Sequence, residues 1–188
     1  IGMDTVLILI SGKRKSGKDY ISKLMEDRLS KLWKINIVGL SHSLKKEYAE
    51  IHGLDYDELL TSGEYKEKYR LDMIKWGEEM RKRDPSYFVR QALASSNGSQ
   101  VIIVSDCRRI SDLEATSNLK RILIRIESSL STRISRGFIF TNGIDDAESE
   151  CGLDQYNQWD TVVYNDNDKN TVDSSIEKIT SIVQSLLL

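Results

Sequence analysis

The amino-acid sequence predicts a three-layer α/β protein, in which helices cover both faces of a five-stranded parallel sheet. Short runs of consecutive aliphatic residues alternate along the chain with longer segments whose apolar residues recur at helical spacing. Such aliphatic runs are typical of strands buried on both faces, and right-handed helical crossovers join strands of this kind into a parallel sheet. A glycine-rich loop directly after the first strand is the second indication of this architecture.

Length and composition fit a single soluble domain. The chain has 188 residues, 30% charged and 39% hydrophobic, with a net charge of −2. A near-neutral chain argues against extensive nucleic-acid binding. Cys107 and Cys151 lie far apart and form no disulfide or zinc pattern, which favours a reducing compartment. No apolar run approaches the roughly 20 residues of a membrane span, so we expect no membrane partner.

The first strand is predicted at residues 6–10, and a phosphate-binding loop follows it. Gly12, Gly17 and Lys18 have the spacing at which backbone N–H groups and a lysine hold phosphates. A helix is predicted after the loop, because apolar residues recur there at helical spacing. A glycine-rich turn without a ligand is the alternative interpretation. The nucleotide-binding candidates in the loop are Gly12, Lys13, Arg14, Lys15, Ser16, Gly17, Lys18 and Asp19.

Asp19 occupies the position at which such loops usually carry a magnesium-binding Ser or Thr. A carboxylate adds negative charge close to a triphosphate, and the neighbouring Lys13, Arg14 and Lys15 would compensate for it. Because magnesium prefers oxygen ligands, we expect Asp19 to bind the metal directly or through water. Capping of the helix N-terminus is the alternative role of Asp19.

The chain between the second and third strands is predicted to be helical. A strand at 35–40 leads into a helix at 44–51, which Ser41 or Ser43 can cap and which carries Lys45 near its start. A helical turn is predicted at 55–60 and a long helix at 64–83, on which apolar and aromatic residues form a core stripe.

A narrow basic face lies beside that stripe on the long helix. At 100° per residue, Lys66, Arg70, Gly77 and Arg81 fall close together. A glycine inside a helix costs about 1 kcal/mol relative to alanine, so we interpret Gly77 as a gap through which an anionic ligand approaches. A solvated face with ion pairs to nearby glutamates is the alternative.

Polar residues follow the third strand, which is predicted at 101–104. Asp84 and Pro85 predict the cap and first residue of the preceding helix, at 86–94. Ligands of parallel sheets bind at the carboxyl ends of strands, so Arg108 and Arg109 should face the same crevice as the phosphate loop. Asp106 is the second magnesium candidate, and capping of a helix at 109–117 is its alternative role.

The last third of the chain contains two more strands and a predicted lid. After a strand at 122–126, Arg133 and Arg136 share one face of a helix. The polar, glycine-containing segment 137–153 is then interpreted as a mobile lid that excludes water when closed, with a plain surface loop as the alternative. A strand at 159–164 ends in Asn165, a candidate for nucleotide contact, and an amphipathic helix completes the chain.

Four segments resemble, in the same order, those of the animal-type phosphomevalonate kinases: SGKRKSGKD, YKEKYRLDMIKWGEEMRKRDPSYF, VSDCRRISD and RGFIFTNGIDDAESECGLD. The resemblance covers essentially the whole chain, and both the basic insert and Asp19 belong to the family pattern. It implies a P-loop kinase fold like that of the nucleoside monophosphate kinases. The single domain, 1–188, would comprise a core (4–40, 99–126 and 154–188), a substrate-binding helical region at about 41–97 and a lid at about 127–153.

The resemblance also implies transfer of the γ-phosphoryl group of ATP to (R)-5-phosphomevalonate in the mevalonate pathway, with Mg²⁺. Phosphoryl transfer needs positioning and charge neutralisation more than covalent chemistry. The residues implied as catalytic are Lys18, Arg14, Arg108, Arg109 and Arg136. Nucleotide contacts are implied for the loop residues with Arg133, Arg136 and Asn165, and substrate contacts for Lys45, Lys66, Arg70, Arg81, Arg108 and Arg109. Asp19 and Asp106 are the implied metal-linked residues.

Two other functions fit the same residues. One is a nucleoside monophosphate kinase or another small-molecule P-loop kinase, and the other is a nucleotide-binding regulatory or RNA-binding protein whose basic insert meets backbone phosphate. We expect a cytosolic protein, because the final residues, Leu186-Leu187-Leu188, are not a peroxisomal address of the S-K-L type. We also expect a monomer.

Overall fold

The computed structural model describes residues 4–61, 63–96 and 98–188. Ser62 and Asn97 belong to the predicted helical region at 41–97 but lie outside the described residues, as do residues 1–3. Within the described ranges, no helix is long and apolar enough to cross a membrane.

Five parallel strands form one sheet, as the aliphatic runs predict. They are β1 (Val6–Gly12), β2 (Ile35–Val38), β3 (Val101–Val104), β4 (Arg121–Glu127) and β5 (Thr161–Tyr164). Their order is β2-β3-β1-β4-β5. The central strand β1 pairs with β3 on one side and β4 on the other, with Val6 opposite Val101 and Gly12 opposite Ile126. The loop after β1 therefore leaves the sheet where the strand order changes direction, which is where parallel α/β sheets bind ligands.

Nine helices of the described chain surround this sheet. They are α1 (Lys18–Leu29), α2 (Leu40–His52), α3 (Tyr56–Leu60), α4 (Glu64–Arg83), α5 (Tyr87–Ala94), α6 (Ile110–Glu114), α7 (Leu130–Ser135), α8 (Glu148–Cys151) and α9 (Lys169–Leu187). Helices α2 to α5 lie between β2 and β3 in the chain, and α7 and α8 lie between β4 and β5.

Alternate residues of β1 contact the two helical layers. Ile8 and Ile10 pack with residues of α1 and α9, whereas Leu7 and Leu9 pack with residues of α5 and with Leu113 of α6. All four side chains are almost completely buried. Because burying an aliphatic side chain of this size contributes about 1.5–3 kcal/mol, both faces of β1 stabilise the sheet. The predicted three-layer α/β fold is confirmed.

The helices between β2 and β3 have a small core of their own. Tyr48 of α2, Leu59 of α3 and Met73 of α4 are buried together, and Tyr69 and Trp76 pack against them. The aromatic stripe predicted on the long helix is thus part of a core. Gly77, however, does not open a gap for a ligand, because a Cβ atom there would lie 2.6 Å from Leu44 Cδ1. That interpretation was wrong, because the space beside Gly77 is occupied by the Leu44 side chain of α2.

The predicted starts of two helices also differ from the structure. Neither Ser41 nor Ser43 caps α2, which begins at Leu40 and has Gly39 at its N-cap. Helix α5 begins at Tyr87 rather than at Pro85, because Asp84 accepts hydrogen bonds from the Ser86 N–H and hydroxyl and closes a turn before the helix. Tertiary and local side-chain contacts therefore set helix starts that dipeptide patterns place only approximately.

Candidate active site

The loop between β1 and α1 adopts a backbone conformation that depends on glycine. Gly17 has φ +91°, and a Cβ atom there would collide with the Asn165 side chain. Lys15 also has a positive φ, of 65°. Lys18, the first residue of α1, folds back over the loop, and its Nζ donates to Gly12 O at 2.7 Å and Lys13 O at 3.2 Å. The loop thus has the compact turn that places an ammonium group beside a helix N-terminus.

The surroundings of Lys18 lower the pKa of its side chain. Burial lowers the pKa of Lys18 from 10.5 to about 8, and the nearby Arg108 guanidinium contributes to the decrease. The carboxylates of Glu150, Asp19 and Asp106 act in the opposite direction. A polyphosphate bound at this point would raise the pKa again, because it adds negative charge beside the ammonium group.

Asn165 and Arg136 support the loop from behind. Asn165 Nδ2 donates to Ser16 O at 2.9 Å, and Arg136 Nη1 donates to the same oxygen at 3.2 Å. Arg136 Nη2 also donates to Asn165 O at 2.7 Å. Both residues therefore hold the loop in place, and both line a cavity of about 470 Å³ that reaches Gly17, Tyr20 and Leu24.

Two cations of the basic insert face the predicted lid. Lys13 Nζ donates to Asp154 Oδ2 at 2.5 Å, and Arg14 forms two bonds with Asp145, from Nε at 3.0 Å and Nη2 at 2.8 Å. Arg133 Nε donates to Arg14 O at 2.8 Å. The structure thus accounts for part of the surplus of cations in the loop, since these groups bind carboxylates of residues 145–154.

A cavity of about 600 Å³ lies at the front of the loop, and we call it the donor cavity. Its lining includes Arg14, Lys15, Gly17, Lys18, Asp19, Ser41, Ser105, Asp106, Arg108 and Arg136. Asp19 is exposed in the first turn of α1, and the N-cap residue of that helix is Gly17. Among the described residues the Asp19 carboxylate makes no hydrogen bond to a backbone N–H, so its alternative role as a cap is not observed. Ser16 Oγ is buried in the loop and has no hydrogen-bond partner among the described residues.

Asp106 follows β3 and binds the start of α2. Its Oδ1 accepts from the Leu40 N–H at 2.6 Å and its Oδ2 from the Ser41 N–H at 3.0 Å. At the start of α6, the helix that follows Asp106, the capping carboxylate is Asp112. Its Oδ2 accepts from the N–H groups of Arg108 and Arg109. Asp106 is therefore a cap, as one interpretation held, but of α2 rather than of α6.

A second cavity, of about 430 Å³, lies beside the first, and we call it the acceptor cavity. Its lining includes Leu44, Lys45, Met73, Ile74, Glu78, Arg81, Arg108, Arg109 and Glu148. Glu78 Oε1 accepts from Arg109 Nη2 at 2.5 Å and from Arg81 Nη1 at 3.3 Å, so one carboxylate holds both arginines. Apolar residues and several cations thus share one cavity, which suits a small apolar molecule that carries anionic groups.

The other predicted substrate residues lie at different distances from this cavity. Lys45 lines it, and Lys66 is close enough to lower the pKa of Lys45. Arg70 pairs with Glu67 at 3.1 Å on the same helix, and neither Lys66 nor Arg70 is among the lining residues. Arg81 stacks on the Phe88 ring at 4.8 Å, which orients its guanidinium.

Arg108 stands between the two cavities. Together with Ser41 and Asp106, it lines both of them. Its Nη1 donates to Glu150 Oε2 at 3.2 Å, and Glu150 Oε1 accepts from the Arg14 N–H. The phosphate loop, the arginines after β3 and the predicted lid therefore meet at one point.

Sequence reasoning missed the carboxylates that hold these cations. They are Asp145, Glu150 and Asp154, whereas Glu78, which pairs with Arg81, is one of the glutamates expected beside the basic face. The acidic residues of 145–154 were visible as part of a polar loop, but no local spacing indicates which cation each of them binds. Within the part of the chain that the structure describes, no group of three or more His, Cys, Asp or Glu residues forms a metal site.

The loop, its lysine and the two adjoining cavities place the protein in the class of P-loop kinases, which transfer phosphoryl groups between small molecules. Comparisons with known proteins narrow this class. Residues 10–121 match the family model described as phosphomevalonate kinase. A phosphomevalonate kinase of Drosophila melanogaster is 42% identical over 183 residues, which cover 92% of this chain and 96% of the relative. The chain belongs to the phosphomevalonate kinase family.

A solved structure from Thermus thermophilus supports the fold alone. Its TM-score is 0.56 at 13% sequence identity, and the match covers 94% of this chain and 97% of that one.

Proposed function

We propose that the protein transfers the γ-phosphoryl group of ATP to the 5-phosphate of (R)-5-phosphomevalonate, giving ADP and diphosphomevalonate. The observation that carries this proposal is the position of Arg108, which lines the donor and the acceptor cavities together. A guanidinium at this junction can bind a phosphate oxygen on each side. Membership of the family supplies the substrate, and the reaction would be a step of isoprenoid and sterol precursor synthesis.

The phosphate loop supplies the donor half of the site. Its backbone N–H groups and Lys18 hold the β and γ phosphates. We assign the nucleotide base to the cavity behind Gly17, where Tyr20 and Leu24 give apolar contact and Arg136 and Asn165 form part of the wall. Arg14 and Arg136 neutralise charge on the transferred group when the lid closes.

The acceptor cavity supplies the other half. Arg108 and Arg109 hold the acceptor phosphate, and Arg81 and Lys45 hold the carboxylate at the other end of the five-carbon chain. Leu44, Met73 and Ile74 form the apolar wall for the carbon chain. Lys66 and Arg70 add positive charge at a distance. No general base is needed, because the attacking phosphate oxygen is already charged.

Magnesium would be held by Asp19 and Asp106 at the donor cavity. Asp19 lines this cavity and its carboxylate makes no hydrogen bond among the described residues, whereas both oxygens of Asp106 accept backbone N–H groups, so Asp106 would act through bound water. The ion supplies charge neutralisation of the triphosphate.

An ADP-release assay tests the proposal with the purified full chain. We expect turnover with ATP and phosphomevalonate, and none above background with AMP, CMP or dTMP. Lys18→Met should lower kcat by roughly 100-fold or more, because the ammonium group neutralises phosphate charge. Thermal unfolding of the variant checks that the loop, which Lys18 Nζ binds at Gly12 O and Lys13 O, still folds.

The phosphate acceptor that is turned over separates the two alternative functions. Turnover with AMP, CMP or dTMP but not with phosphomevalonate would identify a nucleoside monophosphate kinase. No turnover with any acceptor, together with RNA binding that weakens in salt, would identify an RNA-binding protein instead.

A further inference from the structure

Glu150 of α8 is a buried charged link between the predicted lid, the phosphate loop and Arg108. Its side chain is 5% exposed, although it lies in a segment of polar surface residues. One carboxylate oxygen accepts from the Arg14 N–H, within the loop, and the other from Arg108 Nη1 at 3.2 Å. Each oxygen therefore binds a different part of the site.

The phosphate loop and Arg108 also form hydrogen bonds with the backbone around Glu150. Lys13 Nζ donates to Glu150 O at 3.1 Å, and Arg108 Nη1 also donates to Ser149 O at 3.2 Å. A buried carboxylate is costly unless its oxygens are bonded and its charge is paired. These bonds meet both conditions, so the position of Glu150 is well determined.

Arg108 needs an orienting partner for the role that its position gives it. Its side chain is 38% exposed at the junction of two cavities, and a long exposed side chain has many rotamers to lose on binding. A carboxylate that holds one edge of the guanidinium leaves the other edge for phosphate oxygens. Because Glu150 also binds the loop, it fixes the distance between Arg108 and the site of the donor phosphates.

We propose that Glu150 is a positioning residue for phosphoryl transfer, which acts by holding the Arg108 guanidinium in register with the phosphate loop. This inference rests on the proposed function. An opposing interpretation is that Glu150 stands where a phosphate of ATP belongs and leaves when ATP binds. If Glu150 is a positioning residue, removing its charge lowers kcat. If it occupies the place of a phosphate, removing its charge leaves kcat unchanged and tightens the binding of ADP.

Glu150→Gln separates them, because glutamine has nearly the same size but cannot accept from both donors as a carboxylate does. We expect kcat with phosphomevalonate to fall by about tenfold or more, since misplacement of a group that contacts the transferred phosphoryl costs rate. The Kd of ADP should change by less than about threefold, because Lys18 keeps its contacts with Gly12 O and Lys13 O and only the Arg14 N–H of the loop loses its carboxylate acceptor. Glu114→Gln removes an exposed carboxylate at the end of α6 and is the matched control, with wild-type kinetics expected.

A double-mutant cycle tests whether Glu150 acts through Arg108. Arg108→Ala and Glu150→Gln combined should be little slower than Arg108→Ala alone, because without Arg108 there is no guanidinium left for Glu150 to position. Effects that multiply would overturn the proposal, as would an unchanged kcat with tighter ADP binding. An unchanged kcat per folded molecule with a lowered Tm would also overturn it and leave Glu150 with a structural role only.

Two controls keep the outcome interpretable. Should Glu150→Gln fail to fold, Glu150→Asp retains the charge, and the same fall in kcat at unchanged ADP affinity is expected from its shorter reach. If wild type and Glu114→Gln both fail to turn over phosphomevalonate while binding ADP, the proposed function fails. If both are active and Glu150→Gln equals them, only the role of Glu150 fails.

Discussion

Lys45 is a residue whose charge depends on its surroundings. It is half-buried at the wall of the acceptor cavity. Burial lowers the pKa of Lys45 below its usual value, and the positive charges of Lys66 and Arg108 lower it further. An anionic acceptor is attracted only by the protonated form, which exists below this pKa. Binding of the acceptor should therefore weaken as the pH rises through the pKa of Lys45.

We predict an alkaline fall in kcat/KM for phosphomevalonate when ATP is saturating. Saturating ATP keeps Lys18 protonated, so the remaining fall reports the acceptor site. Lys45→Arg is the matched control, because a guanidinium stays charged across the accessible range. We expect the fall to disappear or move to higher pH in this variant. Superimposable pH profiles of the two proteins would exclude Lys45 as the titrating group.

At the scale of residues, the sequence predicts the cations of the site better than their partners. Gly17 and Lys18 follow from the loop spacing, and Arg108 and Arg109 follow from their place after a buried strand. Their carboxylate partners are distant in sequence: Arg14 binds Asp145, 131 positions away. Such pairs are set by how α8 and the loop pack together, and no local pattern encodes that arrangement.

At the scale of elements, two carboxylates lie at helix N-termini in different ways. Asp106 comes from the end of β3 and binds two N–H groups at the start of α2. It therefore ties the acceptor-side helices to the sheet. Asp19 belongs to the first turn of α1 but caps nothing, and its carboxylate is exposed at the donor cavity. The two residues should respond differently to loss of charge.

We predict that Asp19→Asn raises the Mg²⁺ concentration for half-maximal rate at fixed ATP and leaves Tm unchanged.

Asp106→Ala should instead lower the free energy of unfolding by about 1–2 kcal/mol, the usual cost of a lost N-cap. It should also raise KM for phosphomevalonate, because α2 carries Lys45. Rate measurements over a Mg²⁺ titration and thermal unfolding of each variant check both expectations.

Asp55→Ala provides the control for a cap without a role in the site. Asp55 caps α3 by accepting from the Glu58 N–H at 3.1 Å and lines neither cavity. Stability should fall while KM stays at the wild-type value. A Tm loss in Asp19→Asn with an unchanged Mg²⁺ requirement would assign Asp19 to α1 stability rather than to the metal.

The sequence predicts the existence of these elements more reliably than their ends. Residues 6–10 read as a buried strand because all five are aliphatic, and β1 includes them. The start of α2 was misplaced because its cap comes from Asp106, 66 positions further along the chain. The short helix α8 was read as loop, because its four residues are mostly polar and its contacts are with the phosphate loop.

At the scale of the whole molecule, positive charge is concentrated at the end of the sheet where the carboxyl ends of the strands lie. The protein has a net charge of −2, yet the donor cavity carries Arg14, Lys15, Lys18 and Arg108. The topology explains this concentration, since the carboxyl ends of β1 and β3 meet at that end. Local clustering of cations on a near-neutral chain attracts small anions without general affinity for nucleic acid. The parallel topology could be predicted from strand and helix alternation, whereas the way residues 145–154 fold over the loop could not.

Three residues of the segment 133–153, which we interpret as a lid, contact the phosphate loop at Arg14. Arg133 donates to Arg14 O, Asp145 binds the Arg14 guanidinium, and Glu150 binds the Arg14 N–H. Ile139 and Phe140 in the same segment are largely exposed. Exposed apolar side chains next to a ligand cavity have surface left to bury, so a more closed arrangement would be stabilised when both ligands complete the site.

We predict that amide hydrogen exchange across residues 133–153 slows most when a nonreactive ATP analogue and phosphomevalonate are bound together. Either ligand alone fills one cavity and should slow exchange less, because Arg108 at the junction then has a phosphate on one side only. Helix α9 serves as the internal control, since its buried residues pack on the far layer of the sheet and should exchange equally in all states. Equal exchange across 133–153 with and without both ligands would show that the segment is static. Arg133 and Arg136 would then serve only to support the loop, which is the contact that the structure already gives them.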